Sequence, residues 1–428
     1  MTIRTKAKIT PLTQTTDCDT KLSQEVIVGG GAKEWSEELL GNHATFRTGP
    51  FGSALHKSDY IKNGVPLINP MHIVDGRIVP TDTMTVSAEV ASALSEFQLK
   101  PGEIVIGRRG DMGRCAVVRD GQSGWLCGTG SMIVRPKGAN PDFLQRILSS
   151  SEVVTNIENT SVGTTMANLN QDTLAGLKVQ LPPRCEQDAI VEVLSDVDAL
   201  IEALKKLIAK KRLIKQGAMQ ELLSPQQDWV ELTLGSSAQL KARIGWQGLT
   251  TGEYLDGGDY HLVTGTDFRD GFIDWSNCHF VDKYRYDQDK NIQLRENDVL
   301  VTKDGTIGKV AFIENLPQPA TLNSGVFVVR PRTNALQPKF LYYLLMSPVF
   351  EGFLARLSAG STISHLYQKD FVGFSFLIPP TLKRQDEIAA ALLEMDLDVK
   401  ASEARLAKAQ QMKQALMQEL LTGRIRLV

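Results

Sequence analysis

The sequence predicts a mixed α/β (α+β) chain: two globular heads in pseudo-two-fold repeat, separated by a long antiparallel two-helix coiled coil. Three observations predict it. Residues 184–224 carry apolar side chains at alternating three- and four-residue spacing, namely Ile190, Leu194, Val197, Ile201, Leu204 and Ile208. That is the narrow a/d stripe of a coiled coil. Residues 383–422 carry a second stripe, with Ile388, Leu392, Met395, Val399, Leu406, Ala409, Met412, Leu416 and Leu420. The stretch ahead of each helix repeats the other in the same order.

Taken along the chain, residues 1–33 are Thr-rich and polar, end in Gly29-Gly30-Gly31, and are expected to be a weakly ordered N-terminal arm, with docking of IVGGG on a neighbour as the alternative. The first head spans 35–181. Its short β-type runs, VPLINPMHIV and GEIVIG, are separated by Gly, Asn and Asp turns. One helical piece is expected over Pro141–Glu158, and GLKVQLPP closes the head. The first long helix occupies 184–224: no proline falls between Pro183 and Pro225, and one glycine, Gly217, lies inside it. At 1.5 Å per residue, such a helix is roughly 60 Å long. A one-sided apolar seam of that length needs a partner helix, and 383–422 supplies it.

The second head, 229–378, is the copy. Trp35-x-x-x-x-Leu40-Gly41 returns as Trp229-x-x-x-x-Leu234-Gly235, and LKPGEIVIGRRGDMGRCAVV returns as LRENDVLVTKDGTIGKVAFI. GTTMANLNQDTLAG becomes GSTISHLYQKDFVG, and KQGAMQELLS becomes KQALMQELLT. The spacing between copies stays within 194 to 198 positions, so this is a duplicated domain-plus-helix unit and not a short-repeat solenoid.

At 428 residues, with 42% apolar and 22% charged residues, the chain reads as an ordinary soluble protein of several domains. A net charge of −2 excludes a general blanket of positive charge but permits a local basic cleft. Cys18, Cys115, Cys127, Cys185 and Cys278 form no C-x-x-C pair, which fits reduced thiols rather than disulfides or zinc. No run is long and apolar enough to span a membrane, no secretion signal is visible, and a cytoplasmic location is expected.

Two heads related by an internal two-fold suit a two-part target. Duplex DNA, whose half-sites are related by such an axis, is the natural candidate. A non-catalytic two-headed scaffold for protein or RNA is the alternative. Three groups of residues are candidates for contact with nucleic acid. The turn GRRGDMGRC offers Arg108, Arg109 and Arg114, and its copy TKDGTIGKV offers Lys303 and Lys309. Their paired glycines permit close backbone approach to a phosphate, although a solvated basic hairpin reads the same way. The loops SVGTTMANLNQ and SAGSTISHLYQ offer Thr164, Thr165 and Gln171, then Ser361, Thr362 and Gln368, for phosphates, base edges or simple turn capping. The Gly-interrupted basic loops RTGPFGSALHKSDY and KARIGWQGLTTGEY offer Arg47 and Lys57, then Lys241 and Arg243. The lysine-rich back of the first long helix, Lys205, Lys206, Lys210, Lys211, Arg212 and Lys215, reads either as a solvated outer face or as a docking surface for a partner. No catalytic constellation, metal-ligand spacing or nucleotide fingerprint is present, so the chain reads as a binder and not as an enzyme.

With the openings LPPRCEQDAI and IPPTLKRQDEI, the KQxxMQELL[ST] closings, the G-x-x-G-[KR] turns and the GTT/GST loops, the chain resembles the specificity subunit of a type I restriction–modification system. The resemblance runs from Trp35 to the end. It implies two target-recognition domains, each reading half of a bipartite DNA site, with the helix pair as a molecular ruler. It also implies two modification (methyltransferase) subunits and restriction (translocase/nuclease) subunits as partners. S-adenosylmethionine, ATP and Mg would belong to those partners and none to this chain.

Overall fold

Strand β1 (Ala44–Thr48) of the first head pairs with a long strand that the repeated motifs prepare for. A computed structural model describes residues 26–28, 35–50, 54–110, 113–160, 169–332, 335–358 and 365–427. In the first head, β2 (Ile104–Gly107), β3 (Cys115–Val117) and β4 (Ser131–Pro136) join β1 in an antiparallel sheet of order β3-β2-β4-β1. The run IVIG does not alternate apolar and polar residues because the sheet is covered on both faces. Ile104 and Ile106 point into a core with the helices, whereas Val105 joins a second core beneath a smaller sheet. That smaller sheet includes Val65–Ile68 and Leu126–Cys127, which run parallel.

Helices α1 (Pro141–Leu148) and α2 (Ser151–Thr160) replace the single helical piece expected over Pro141–Glu158. The helix stops at Ser149, whose hydroxyl bonds back to the Arg146 carbonyl at 3.1 Å, and the chain restarts at Ser151. Helix α3 (Gln171–Ala175) follows, capped by the Asn170 side chain on the Thr173 N–H at 2.7 Å. The first long helix, α4, spans Arg184–Leu222, ending two residues before the predicted 224.

The second head repeats the plan. Strands β5 (Ala238–Ala242), β6 (Val299–Thr302), β7 (Val310–Phe312) and β8 (Val326–Pro331) form an antiparallel sheet of order β7-β6-β8-β5. Val299 and Val301 face the helical core, and Leu300 faces the second core. Tyr260–Val263 and Ala320–Leu322 form the parallel pair of its smaller sheet. Helices α5 (Pro338–Leu345), α6 (Pro348–Leu357) and α7 (Gln368–Phe371) precede the second long helix, α8 (Leu382–Leu420). Trp35 meets Phe143 edge-on in the first head, and Trp229 meets Phe340 likewise in the second.

The molecule divides into two compact units, residues 1–203 with 406–428, and residues 204–405. Within each unit a half of α4 runs antiparallel to a half of α8. In the first, Asp198 pairs with Lys413 (2.6 Å), and Glu186 lies beside Arg426. In the second, Lys211 bonds Asp398 (2.6 Å) and Ser402 (3.0 Å), Arg212 bonds Glu403 (2.6 Å), and Lys215 bonds Asp396.

All six α4 stripe residues named above are buried, but the stripe of α8 needs correction. Met412 is exposed, and the three-four spacing runs instead through Val399, the buried Ser402, Leu406, Ala409, the half-buried Lys413 and Leu416. The same spacing carries α4 from Ile208 through Lys211 and Lys215 to Met219. Lys211 and Lys215 therefore lie in the seam and not on the helix back, and with Arg212 they are bonded to acidic residues of the chain's own second helix. Hydrophobic spacing alone cannot find such positions, because the seam uses ammonium stems as filler and carboxylates as partners.

The expected N-terminal arm falls mostly outside the described residues, with one exception. Val26–Val28 forms an antiparallel strand with Ile425–Leu427, beyond the end of α8. That C-terminal strand brings Arg426 onto Glu186 at the start of α4, through Nε (2.6 Å) and Nη2 (2.7 Å). The Trp35 indole also donates to Glu186 at 3.3 Å. Both members of the ion pair are under one-tenth exposed. Arg426→Ala would strand a buried carboxylate, a loss of about 3–5 kcal/mol. Calorimetry is expected to show the transition of the first unit shifted to lower temperature, and a smaller shift when Glu186 and Arg426 are replaced together by apolar residues.

Candidate nucleic-acid interface

Each head brings the same three loops to the end of its central strand. In the first, the Arg108 N–H donates to Gly130 O (3.0 Å), and the Arg108 carbonyl accepts from Leu169 N–H (2.9 Å). In the second, Lys303 N–H donates to Gly325 O (2.9 Å), and its carbonyl accepts from Leu366 N–H (2.9 Å). The basic hairpin turn, the loop before β4 or β8, and the segment entering α3 or α7 are thus tied to one residue per head. The sequence singled out two of these three loops separately, and the structure joins them. Thr164, Thr165, Ser361 and Thr362 lie outside the described residues, as does the Lys57 side chain.

The paired glycines divide their work. Gly110, Gly113, Gly305 and Gly308 all have φ between +68° and +82°, a region costly for other residues. A Cβ on Gly113 would fall 2.2 Å from Val154 Cγ2, so the second glycine lets the turn press against α2. A Cβ on Gly110 or Gly305 would meet nothing within 4 Å. Only the first glycine of each pair therefore leaves open backbone for a ligand.

The candidate basic residues separate by burial. Arg109, Arg114 and Lys309 are exposed, whereas Lys303 is half-buried with its ammonium 5.4 Å from the Phe327 ring centroid. Arg108 is 8% exposed, and desolvation, then repulsion from Arg109, pulls its guanidinium below the usual arginine range. Arg243 is 1% exposed and donates to Leu322 O (2.8 Å), Thr321 Oγ1 (3.2 Å) and Gln288 Oε1 (3.3 Å). It braces the interior of its head and presents no donor outward. Arg47 pairs with Glu96 and lies 5.1 Å from the Phe97 ring, and Lys241 is half-buried on β5.

Gln171 and Gln368 do not cap the turns they open and bond instead to the first strand of each main sheet. With its amide oriented to satisfy both ends, Gln171 donates to Phe46 O (3.0 Å) and accepts from Thr48 Oγ1 (3.1 Å), tying α3 to β1. Gln368 donates to Leu240 O at 3.4 Å, tying α7 to β5. Of the lysines on the first long helix, Lys206 and Lys210 are exposed and Lys205 is half-buried.

One pair of residues in the repeated openings escaped assignment at the sequence level. Gln187 is buried at the start of α4, accepts from Asn140 N–H (2.8 Å) and donates to Pro182 O (2.9 Å). Gln385 is buried at the start of α8, accepts from Gln337 N–H (2.9 Å) and donates to Ala335 O (2.9 Å) and Pro379 O (3.0 Å). Each glutamine locks a long helix to the residue preceding α1 or α5. A glutamine recurring three positions before the first residue of each apolar stripe, Ile190 and Ile388, was the available clue.

A duplicated head, a duplicated helix and two equivalent loop clusters now meet a family description. The model of the type I restriction modification DNA specificity domain matches residues 48–210 and again 227–411. The chain belongs to that family. The specificity-domain relatives include a putative type I restriction enzyme MjaX specificity subunit from Methanocaldococcus jannaschii, 23% identical over 86% of this chain and 89% of its own length. The type I restriction enzyme EcoBI specificity subunit of Escherichia coli is also 23% identical, over 85% of this chain and 81% of its own. Among solved structures, the S subunit of a type I restriction–modification system from M. genitalium superposes with a TM-score of 0.57. That likeness covers 90% of this chain and 96% of the other at 17% identity, and shows a shared fold.

The two turn glycines can be told apart experimentally. Gly110→Ala and Gly113→Ala each impose an unfavourable φ worth about 1–2 kcal/mol. Gly113→Ala adds overpacking against a β-branched helical side chain, about 1–3 kcal/mol more. Denaturant unfolding is expected to rank Gly113→Ala as clearly the less stable.

Proposed function

We propose that this chain is the DNA-reading subunit of a type I restriction–modification complex, in which each head reads one half of a bipartite duplex site and no catalytic step falls to the chain itself. The observation that carries this reading is the pair of equivalent loop clusters, each with a glycine of open backbone beside exposed basic side chains (Arg109 and Arg114, then Lys309). Such sites suit phosphate contact from turns that also hold base-reading side chains. The family assignment and the names of the relatives support it. The turn residues differ between heads, Arg109 in one and Asp304 in the other, as two different half-sites require.

Partner subunits for modification and restriction are part of the proposal, with S-adenosylmethionine, ATP and Mg assigned to them. Support comes from the outer side of α4, where Leu207, Leu213 and Ile214 are 39–68% exposed with Lys206 and Lys210 beside them. An apolar strip edged by lysine suits a protein partner with an acidic rim. The buried thiols, including Cys115 raised to about 12 by desolvation, fit a reducing compartment, and we place the complex in the cytoplasm. No single described helix is long and apolar enough to cross a membrane.

Genome-wide methylation mapping in cells with and without this chain tests the reading. A two-part motif that appears only with the chain is expected, and a motif independent of the chain would overturn it. Deleting one heptad from each long helix is expected to alter the number of unspecified base pairs between the halves, leaving both half-sites as they were.

A further inference from the structure

The second head departs from the first at one corner of its loop cluster. The matching backbone bonds of Arg108 and Lys303 align Arg109 with Asp304, and those of Leu169 and Leu366 align Asn170 with Tyr367. Asn170 caps its helix. Tyr367 precedes α7 in the same position with no capping bond, and its side chain is 55% exposed. A helix start that gives up its cap for an exposed aromatic ring breaks a local rule, and such breaks mark functional positions.

The surroundings of that ring are built. His365 packs against Tyr367 with ring centroids 4.6 Å apart, and the Lys369 ammonium lies 5.6 Å from the same ring. On its other side His365 is bonded through Nδ1 to the Asp304 carboxylate, and the two residues also form an isolated β-bridge. The turn from Lys303 to Lys309 carries positive charge at both ends of this corner.

We propose that Asp304, His365 and Tyr367 form a base-reading element of the second head. This rests on the DNA reading above and names the chemistry of one half-site. In the neutral imidazole the Asp304 carboxylate accepts from Nδ1–H, which leaves Nε2 as an acceptor for a ligand. An acceptor there complements the amino group of adenine or cytosine in the major groove. Tyr367 adds an apolar face for a thymine methyl or an adjoining sugar, and the exposed Lys369 and Lys309 supply phosphate contact. Arg109 in the equivalent place would select acceptors instead, guanine O6 and N7 above all.

The test uses Tyr367→Asn, which restores the residue of the first head and with it a helix cap, so it is expected to unfold at the same or a higher temperature. Binding of the complete complex is measured against its methylation motif and against duplexes scrambled in one half or the other. The wild type is expected to discriminate at both halves. Tyr367→Asn and His365→Ala are each expected to lose about tenfold of that discrimination at one half only. Unchanged discrimination, or an equal loss at both halves, would overturn the proposal. Absence of discrimination by the wild type would instead overturn the underlying DNA reading.

Discussion

Everything outward in each head depends on how firmly that head is locked to the helices, and one buried glutamine per unit bonds the two together at their junction. Gln187 and Gln385 sit where water cannot replace a lost partner, so their amides must satisfy backbone groups at the head–helix junction. Carbonyls and N–H groups bonded at 2.8–3.0 Å leave little freedom for the head to rotate on its helix. A reader of DNA needs that rigidity, since base contacts fail when the loops are misplaced by an ångström or so. The cores agree: Ile190 and Leu194 belong to the first head's core, and Ile388 and Leu392 to the second's. The long helices are therefore part of the heads and not tethers between them.

The seam between the helices adds a second constraint. An all-apolar stripe would tolerate sliding by a heptad, because each Leu or Ile finds a similar hole. Lys211 against Asp398 and Ser402, Lys215 against Asp396, and Asp198 against Lys413 do not tolerate it. Asp396 also accepts from the Tyr343 hydroxyl at 2.9 Å, which joins the helix register to the core of the second head. These polar pairs contribute little net stability once desolvation is counted, yet they make one register uniquely satisfied.

The two copies also show which parts of a repeated head are free to change. Strand order, the both-faces-buried central strand, the turn glycines and the clamp glutamines recur. Differences reach the core, as in Met132 against Phe327 and Leu174 against Phe371, and also the exposed loop cluster, where Arg109 stands against Asp304 and Asn170 against Tyr367. Those core changes keep apolar character, whereas those at the loop cluster change charge and hydrogen-bonding chemistry.

Residue spacing and duplication determined the two heads and the paired long helices, because periodicity and repetition are properties of the chain's order, and the repeated motifs carried the family resemblance. They also located the basic turns and the Gly-x-x-Gly motifs. Tertiary structure alone decided which basic residues face outward. Arg243 and Arg108 look like Arg109 in a string of letters, and only packing shows that the first two are buried. Lys211 and Lys215 likewise read as a solvated face until the carboxylates of the second helix are brought beside them from nearly two hundred positions away. The strand pairing of Val26–Val28 with Ile425–Leu427 is of the same kind. Short segments at opposite ends of a chain carry too little local signal to announce each other, and the match is made only by backbone pairing in the folded chain.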